Sequence, residues 1–148
     1  MNKILQYLQV TFGQADEAVY HLNISAERCK EFIHNENFSE EQLIDLEALT
    51  GRFARVSDIL IQKIFKTIDR LDGITKGTVR DRILQAEKNG IISDPELFIE
   101  IRDKRNTISH EYEINDLTDI FLFVFKNAHL LIDAIKAAKE YSQKFYTT

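Results

Sequence analysis

Ser39-Glu-Glu-Gln-Leu-Ile-Asp-Leu-Glu-Ala-Leu-Thr-Gly-Arg-Phe-Ala-Arg-Val-Ser-Asp-Ile-Leu-Ile-Gln-Lys-Ile-Phe-Lys-Thr-Ile-Asp-Arg-Leu-Asp-Gly73 decides the fold. Within it Leu43, Leu46, Leu49, Phe53, Val56, Leu60, Ile64, Ile68 and Leu71 recur every three or four positions. That spacing predicts one helical stripe of roughly eight turns. Ser39, followed three residues later by Gln42, forms a capping-box pattern at its start, and Asp72-Gly73 closes it. Ile44, Ala48, Ile59, Ile61 and Phe65 widen the apolar face, so this helix is expected to touch more than one neighbour.

The flanking sequence reads the same way. Upstream, Ile4, Leu5, Leu8, Phe12, Ala15, Ala18, Val19 and Leu22 repeat at helical spacing from about Lys3 into the early twenties. A short continuation is expected from Ser25 to His34, before a polar break at Asn35-Glu-Asn-Phe-Ser39. Downstream, a short helix from about Thr78 to Lys88 ends at Asn89-Gly90. Asp94-Pro95 opens another that carries Leu97, Phe98, Ile101 and Ile108. Asn115-Asp116 starts the last, whose broad apolar face runs from Leu117 to Phe145, with Leu122, Phe123 and Leu130 off it. Long helices joined by short polar breaks predict an all-α, antiparallel four- to five-helix bundle in a single domain, residues 1–148. The spare apolar residues on the second and last helices fit either a dimer interface or a wider intramolecular core.

Composition bounds the function. One proline and five glycines in 148 residues disfavour a turn-rich β fold. The net charge of −5 weakens a general nucleic-acid reading, since phosphate contacts draw on a basic surplus. Any RNA contact must then come from a local basic patch or a partner. The single cysteine, Cys29, permits no internal disulfide and is expected to be an inert, semi-buried thiol; no Cys/His cluster has zinc-ligand spacing. Met1-Asn-Lys-Ile-Leu-Gln lacks a secretory apolar region, and the longest apolar run, Ile120 to Phe125, is far short of a membrane span. The expected location is cytoplasmic, with no membrane partner.

Chemistry concentrates in Arg102-Asp-Lys-Arg-Asn-Thr-Ile-Ser-His-Glu-Tyr112, where cations, a histidine and a tyrosine fall together. On a continuous helix Arg105 and Tyr112 share a face, whereas Arg105 and His110 stand about 140° apart. The latter two converge if the helix ends or distorts near His110, or if a twofold axis brings them together from two protomers. A histidine titrates near neutrality and serves as general acid or base. An arginine offers a planar fork suited to phosphate and to charge developing during its displacement. Together they suit attack of a ribose 2′-hydroxyl on its neighbouring phosphodiester without a metal, with Asn106 holding phosphate or orienting the histidine. The same residue types also serve as ordinary capping and surface groups at a helix end.

Arg105-Asn-Thr-Ile-Ser-His110-Glu-Tyr112 resembles the Arg-x4-His-x-Tyr motif of the HEPN superfamily, specifically its HepT-like branch. The likeness includes the polar residue after the arginine, the late position on the fourth helix and the long helix that follows, and spans roughly Met1 to Tyr141. It implies a helical bundle that dimerises, with motif residues of both protomers lining one cleft. It further implies a ribonuclease toxin needing neither metal nor cofactor, neutralised by a minimal MNT-type nucleotidyltransferase antitoxin. Carried across, Arg105 and His110 are the catalytic pair, Asn106 a supporting polar group and Tyr112 the site of AMP attachment. A rival reading makes the chain a non-catalytic companion of a nucleotidyltransferase, in which Arg105 and His110 grip phosphate only. A third is a structural dimerisation module with a vestigial motif.

Elsewhere bland readings are preferred. His21, His34 and His129 lie on separate segments without companion ligands. Arg52, Arg55, Lys63, Lys66 and Arg70 are expected to be a solvated face paired with acidic neighbours, a basic strip toward RNA being the alternative. Gly73 and Gly77 flank Ile-Thr-Lys in a spacing that matches no phosphate-binding loop, and read as a plain connection.

Overall fold

In the computed structural model, which describes residues 2–108 and 114–147, every regular element is helical. In order they are α1 (Lys3–Cys29), α2 (Glu40–Asp58), a π-helical turn (Ile59–Ile64), α3 (Phe65–Leu71), α4 (Val79–Lys88), α5 (Pro95–Ile108) and α6 (Ile114–Ser142), with a closing 3-10 turn (Gln143–Phe145). The backbone stays helical from α2 through the π turn into α3, so these three form one rod and the described residues make five rods.

Local chemistry sets the boundaries. Ser39 Oγ accepts from Gln42 N at 3.1 Å, and Gln42 Oε1 accepts from Ser39 N at 3.0 Å, completing the expected capping box. Thr78 and Asp81 repeat the device at the start of α4. Asp94 Oδ1 accepts from Leu97 N at 3.1 Å, confirming the Asp-Pro start of α5. Both glycine stops take the left-handed backbone that glycine alone adopts without a steric cost, at φ +86° for Gly73 and +77° for Gly90. In each case two backbone bonds close the helix end: Ile74 N to Asp69 O with Gly73 N to Arg70 O, and Ile91 N to Ala86 O with Gly90 N to Glu87 O.

One boundary differs from expectation. No break falls at Asn23–Ser25; α1 runs unbroken to Cys29 and then turns through residues 30–34. A serine that would otherwise compete for the backbone is engaged elsewhere: Ser25 is buried, and its hydroxyl accepts from Arg52 Nη1 at 2.8 Å.

Pairwise contacts fix the directions. Arg28 meets Asp45 while Arg52 reaches back to His21 O and Ser25, so α1 and α2 are antiparallel. Lys139 pairs with Asp16 and Tyr146 Oη donates to Leu5 O, so α1 and α6 are antiparallel too. By contrast Phe38 packs edge-on to Phe121, and Tyr141 and Lys144 both reach Asp72. The α2–α3 rod and α6 therefore run parallel, α4 and α5 carrying the chain back between them. The bundle is antiparallel about α1, not throughout.

The rod's middle is the centre of the core. Phe53, Leu60, Ile61, Ile64, Phe65 and Ile68 are all nearly inaccessible. The π turn packs against α1, α4 and α6. Its wider spacing spreads the consecutive apolar residues Ile59, Leu60 and Ile61 over those neighbours, so all three are buried. For these residues and Phe65 the wider intramolecular core, one of the two readings left open by the sequence, is what the protomer shows. Ile44 is exposed, at 63%, Ala48 is half-buried, and so are Leu122, Phe123 and Leu130. Among the described residues no helix is long and apolar enough to cross a membrane.

Candidate functional site around Arg105

Helix α5 is seated by Phe98 and Ile101, both buried. Arg105 lies one turn beyond Ile101 on the same face, so its stem follows the surface packed toward the rod. Its guanidinium meets Asp58, the last residue of α2, in a two-pronged pair: Nε to Oδ1 at 2.7 Å and Nη2 to Oδ2 at 2.8 Å. Such fork-to-fork pairing fixes orientation as well as charge. The hydrogen bonds from Arg105 to Asp58, then the carboxylate's charge, outweigh desolvation and hold the guanidinium protonated more firmly than usual.

An open pocket of about 360 Å³ lies over this pair, lined by Gly51, Ala54, Arg55, Asp58, Ile59, Lys63 and Arg105. Small residues open it: a Cβ built on Gly51 would meet nothing within 4 Å. Three cations face one carboxylate, and that carboxylate is already committed to Arg105. Two of the guanidinium's five N–H groups are used on Asp58, and among the described residues the other three have no acceptor and can meet an anion entering the pocket. One turn before Arg105, the Nε of Arg102 is buried and finds no acceptor among the described residues.

The sequence-predicted site residues are only partly placed. Arg105 lines the pocket, and Asn106 is exposed beside it on α5. His110 and Tyr112 lie outside the described residues, as does the expected meeting of His110 with Arg105. Asp58 was missed. It sits 47 residues away in sequence, inside a stretch read for its apolar stripe, and only the packing of α5 on α2 joins the two.

The basic residues of the rod meet expectation in part: Arg55, Lys63, Lys66 and Arg70 are exposed, as a solvated face requires. Arg52 is spent on Ser25 and His21 O. None of Arg55, Lys63, Lys66 and Arg70 makes an ion pair within 4.0 Å among the described residues, so the expected acidic partners are not found there. His21, His34 and His129 are exposed and separate, as expected. Cys29 is fully buried, not semi-buried, and burial pushes its thiol up to about 11. Among the described residues no group of three or more His, Cys, Asp or Glu converges to hold a metal ion.

Comparison of the chain with family models, with curated proteins and with solved structures finds no match.

Proposed function

We propose that the chain is an endoribonuclease toxin of the HepT type, cleaving RNA without a metal and held in check by an MNT-type nucleotidyltransferase. The observation that supports this reading best is the placement of Arg105. The motif arginine is anchored by Asp58 in an open pocket, flanked by Arg55 and Lys63, with donors to spare for a phosphate. In this mechanism His110 takes the proton of a ribose 2′-hydroxyl, and the oxygen attacks the adjacent phosphorus. The bond from phosphorus to the 5′-oxygen breaks, that oxygen takes a proton from solvent, and a 2′,3′-cyclic phosphate remains. Arg105 meets the charge that builds on the phosphoryl oxygens, where a fixed donor is worth most. Asp58 is a positioning residue, setting the guanidinium before substrate arrives. AMP on Tyr112 would put a like charge where the RNA phosphate binds and switch the site off. Dimerisation through the bundle, which the resemblance implies, belongs to the same proposal.

The tight Arg105–Asp58 pair also favours a second reading, in which the site grips phosphate for a nucleotidyltransferase partner and breaks no bond. RNA cleavage by the purified chain in excess EDTA separates them. Cleavage should survive the chelator and vanish in Arg105→Ala/His110→Ala. It should fall about 10- to 100-fold in Asp58→Asn, as loss of a charged hydrogen bond predicts, chiefly in kcat and with partial recovery in Asp58→Glu. No cleavage of several RNA pools by folded, unmodified protein would favour the companion reading.

A further inference from the structure

The connection between α3 and α4 is more than a link. Its residues Ile74 to Gly77 wall a second pocket, of about 200 Å³, with Lys66, Asp69 and Arg70 of the rod and Asp81, Arg82 and Lys88 of α4. Five cations (Lys66, Arg70, Lys76, Arg82 and Lys88) surround it against two carboxylates. None of the five makes an ion pair within 4.0 Å among the described residues. Asp81 is occupied by the Thr78 backbone N–H at 2.9 Å. Asp69 is buried in the pocket wall, where desolvation, opposed by the charge of Arg82, raises its carboxyl to about 6; at neutral pH it stays largely ionised and offsets one of the five cations.

This pocket and the Arg105 pocket lie along one face. At 3.6 residues per turn, the eight-residue step from Arg55 to Lys63 ends about 80° out of phase. The π turn between them absorbs one extra residue and reduces that offset to about 20°. Lys63 accordingly lines the Arg105 pocket together with Arg55, and Lys66, one turn on, lines the second. From Asp58 to Arg70 the rod covers about 18 Å. The two pockets hold eight of the chain's 19 cations and only three of its 24 carboxylates. An acidic protein thus gathers eight of its cations around these two pockets with few carboxylates among them.

We propose that the α3–α4 pocket is a phosphate-binding exosite for RNA, holding the backbone of one strand whose neighbouring phosphates run along the rod to Arg105. This rests on the reading of the chain as an RNA-binding protein, and it adds where the strand lies and which residues set its affinity. The phosphates are gripped by charge and not by base edges, so the track itself is indifferent to sequence.

The test is binding of a short, uncleavable 2′-O-methyl oligoribonucleotide, followed by fluorescence anisotropy across a salt series. Arg70→Gln/Lys76→Gln/Lys88→Gln removes three exposed cations and keeps part of each apolar stem. Lys3→Gln/Lys30→Gln/Lys136→Gln removes the same charge elsewhere. Losing three phosphate contacts should lower the slope of log K against log salt by about 2 and weaken binding roughly ten-fold or more, with the matched control near wild type. Lys76→Glu alone, in the connection, should weaken binding more than Lys76→Gln. If the pocket variants bind like the control, the exosite is refuted while the RNA reading stands. If wild type shows no salt-dependent binding, the RNA reading fails and the exosite falls with it.

Discussion

Arg105 acquires its role from Asp58, and Asp69 from the wall it stands against; neither environment is a property of the residue's own stretch of chain. The consequence for Asp69 is measurable. Its folded carboxyl titrates near 6, against about 3.9 when unfolded, so the folded chain holds that proton more tightly. The stability it contributes is complete below about pH 4 and is lost as pH rises through 6. Asp69→Asn escapes that loss. It should be more stable than wild type by about 1 kcal/mol at pH 7.5, a figure discounted for the neighbouring Arg82 and for solvent, with the advantage gone by pH 4. Thermal melts of both proteins at the two pH values check this, and an equal offset at both would rule out titration of Asp69 as its cause.

Among elements, the π turn matters most to function. An uninterrupted α-helix would set Lys63 about 80° from Arg55 and about 140° from Asp58; the wide turn reduces these offsets to about 20° and 40°. Periodicity in the sequence shows the stripe but not this slip, because Val56, Leu60 and Ile64 are four apart whether or not one turn is wide. The rods also contain two helical glycines, Gly13 in α1 and Gly51 in α2, both exposed and with nothing within 4 Å of a built Cβ. Gly13→Ala and Gly51→Ala should each stabilise the protein by about 0.5–1 kcal/mol in urea unfolding, through helix propensity alone. Destabilisation at either position would mean that its face is covered in solution, for instance by a second copy of the chain.

At the scale of the whole molecule, burial around α1 makes Cys29 a reporter of opening. Its thiol is inaccessible and raised to about 11, so at pH 8 it should react with a disulfide reagent at least about 100-fold more slowly than free cysteine. The rate should rise steeply through the urea transition, and brisk reaction in native buffer would show that α1 frays locally. Helical class, the Ser39, Asn89-Gly90 and Asp94-Pro95 boundaries and the position of Arg105 on its helix were legible in the sequence, which left the count of helices at four or five. Each depends on residues within about a turn of one another, where periodicity and capping chemistry act directly. The unbroken α1, the parallel course of the rod and α6, the Asp58 anchor and the clustering of positive charge on an acidic chain were decided only by the tertiary structure. Each joins residues distant in sequence, and which helices meet depends on whole apolar faces being buried at once, a condition no local spacing records.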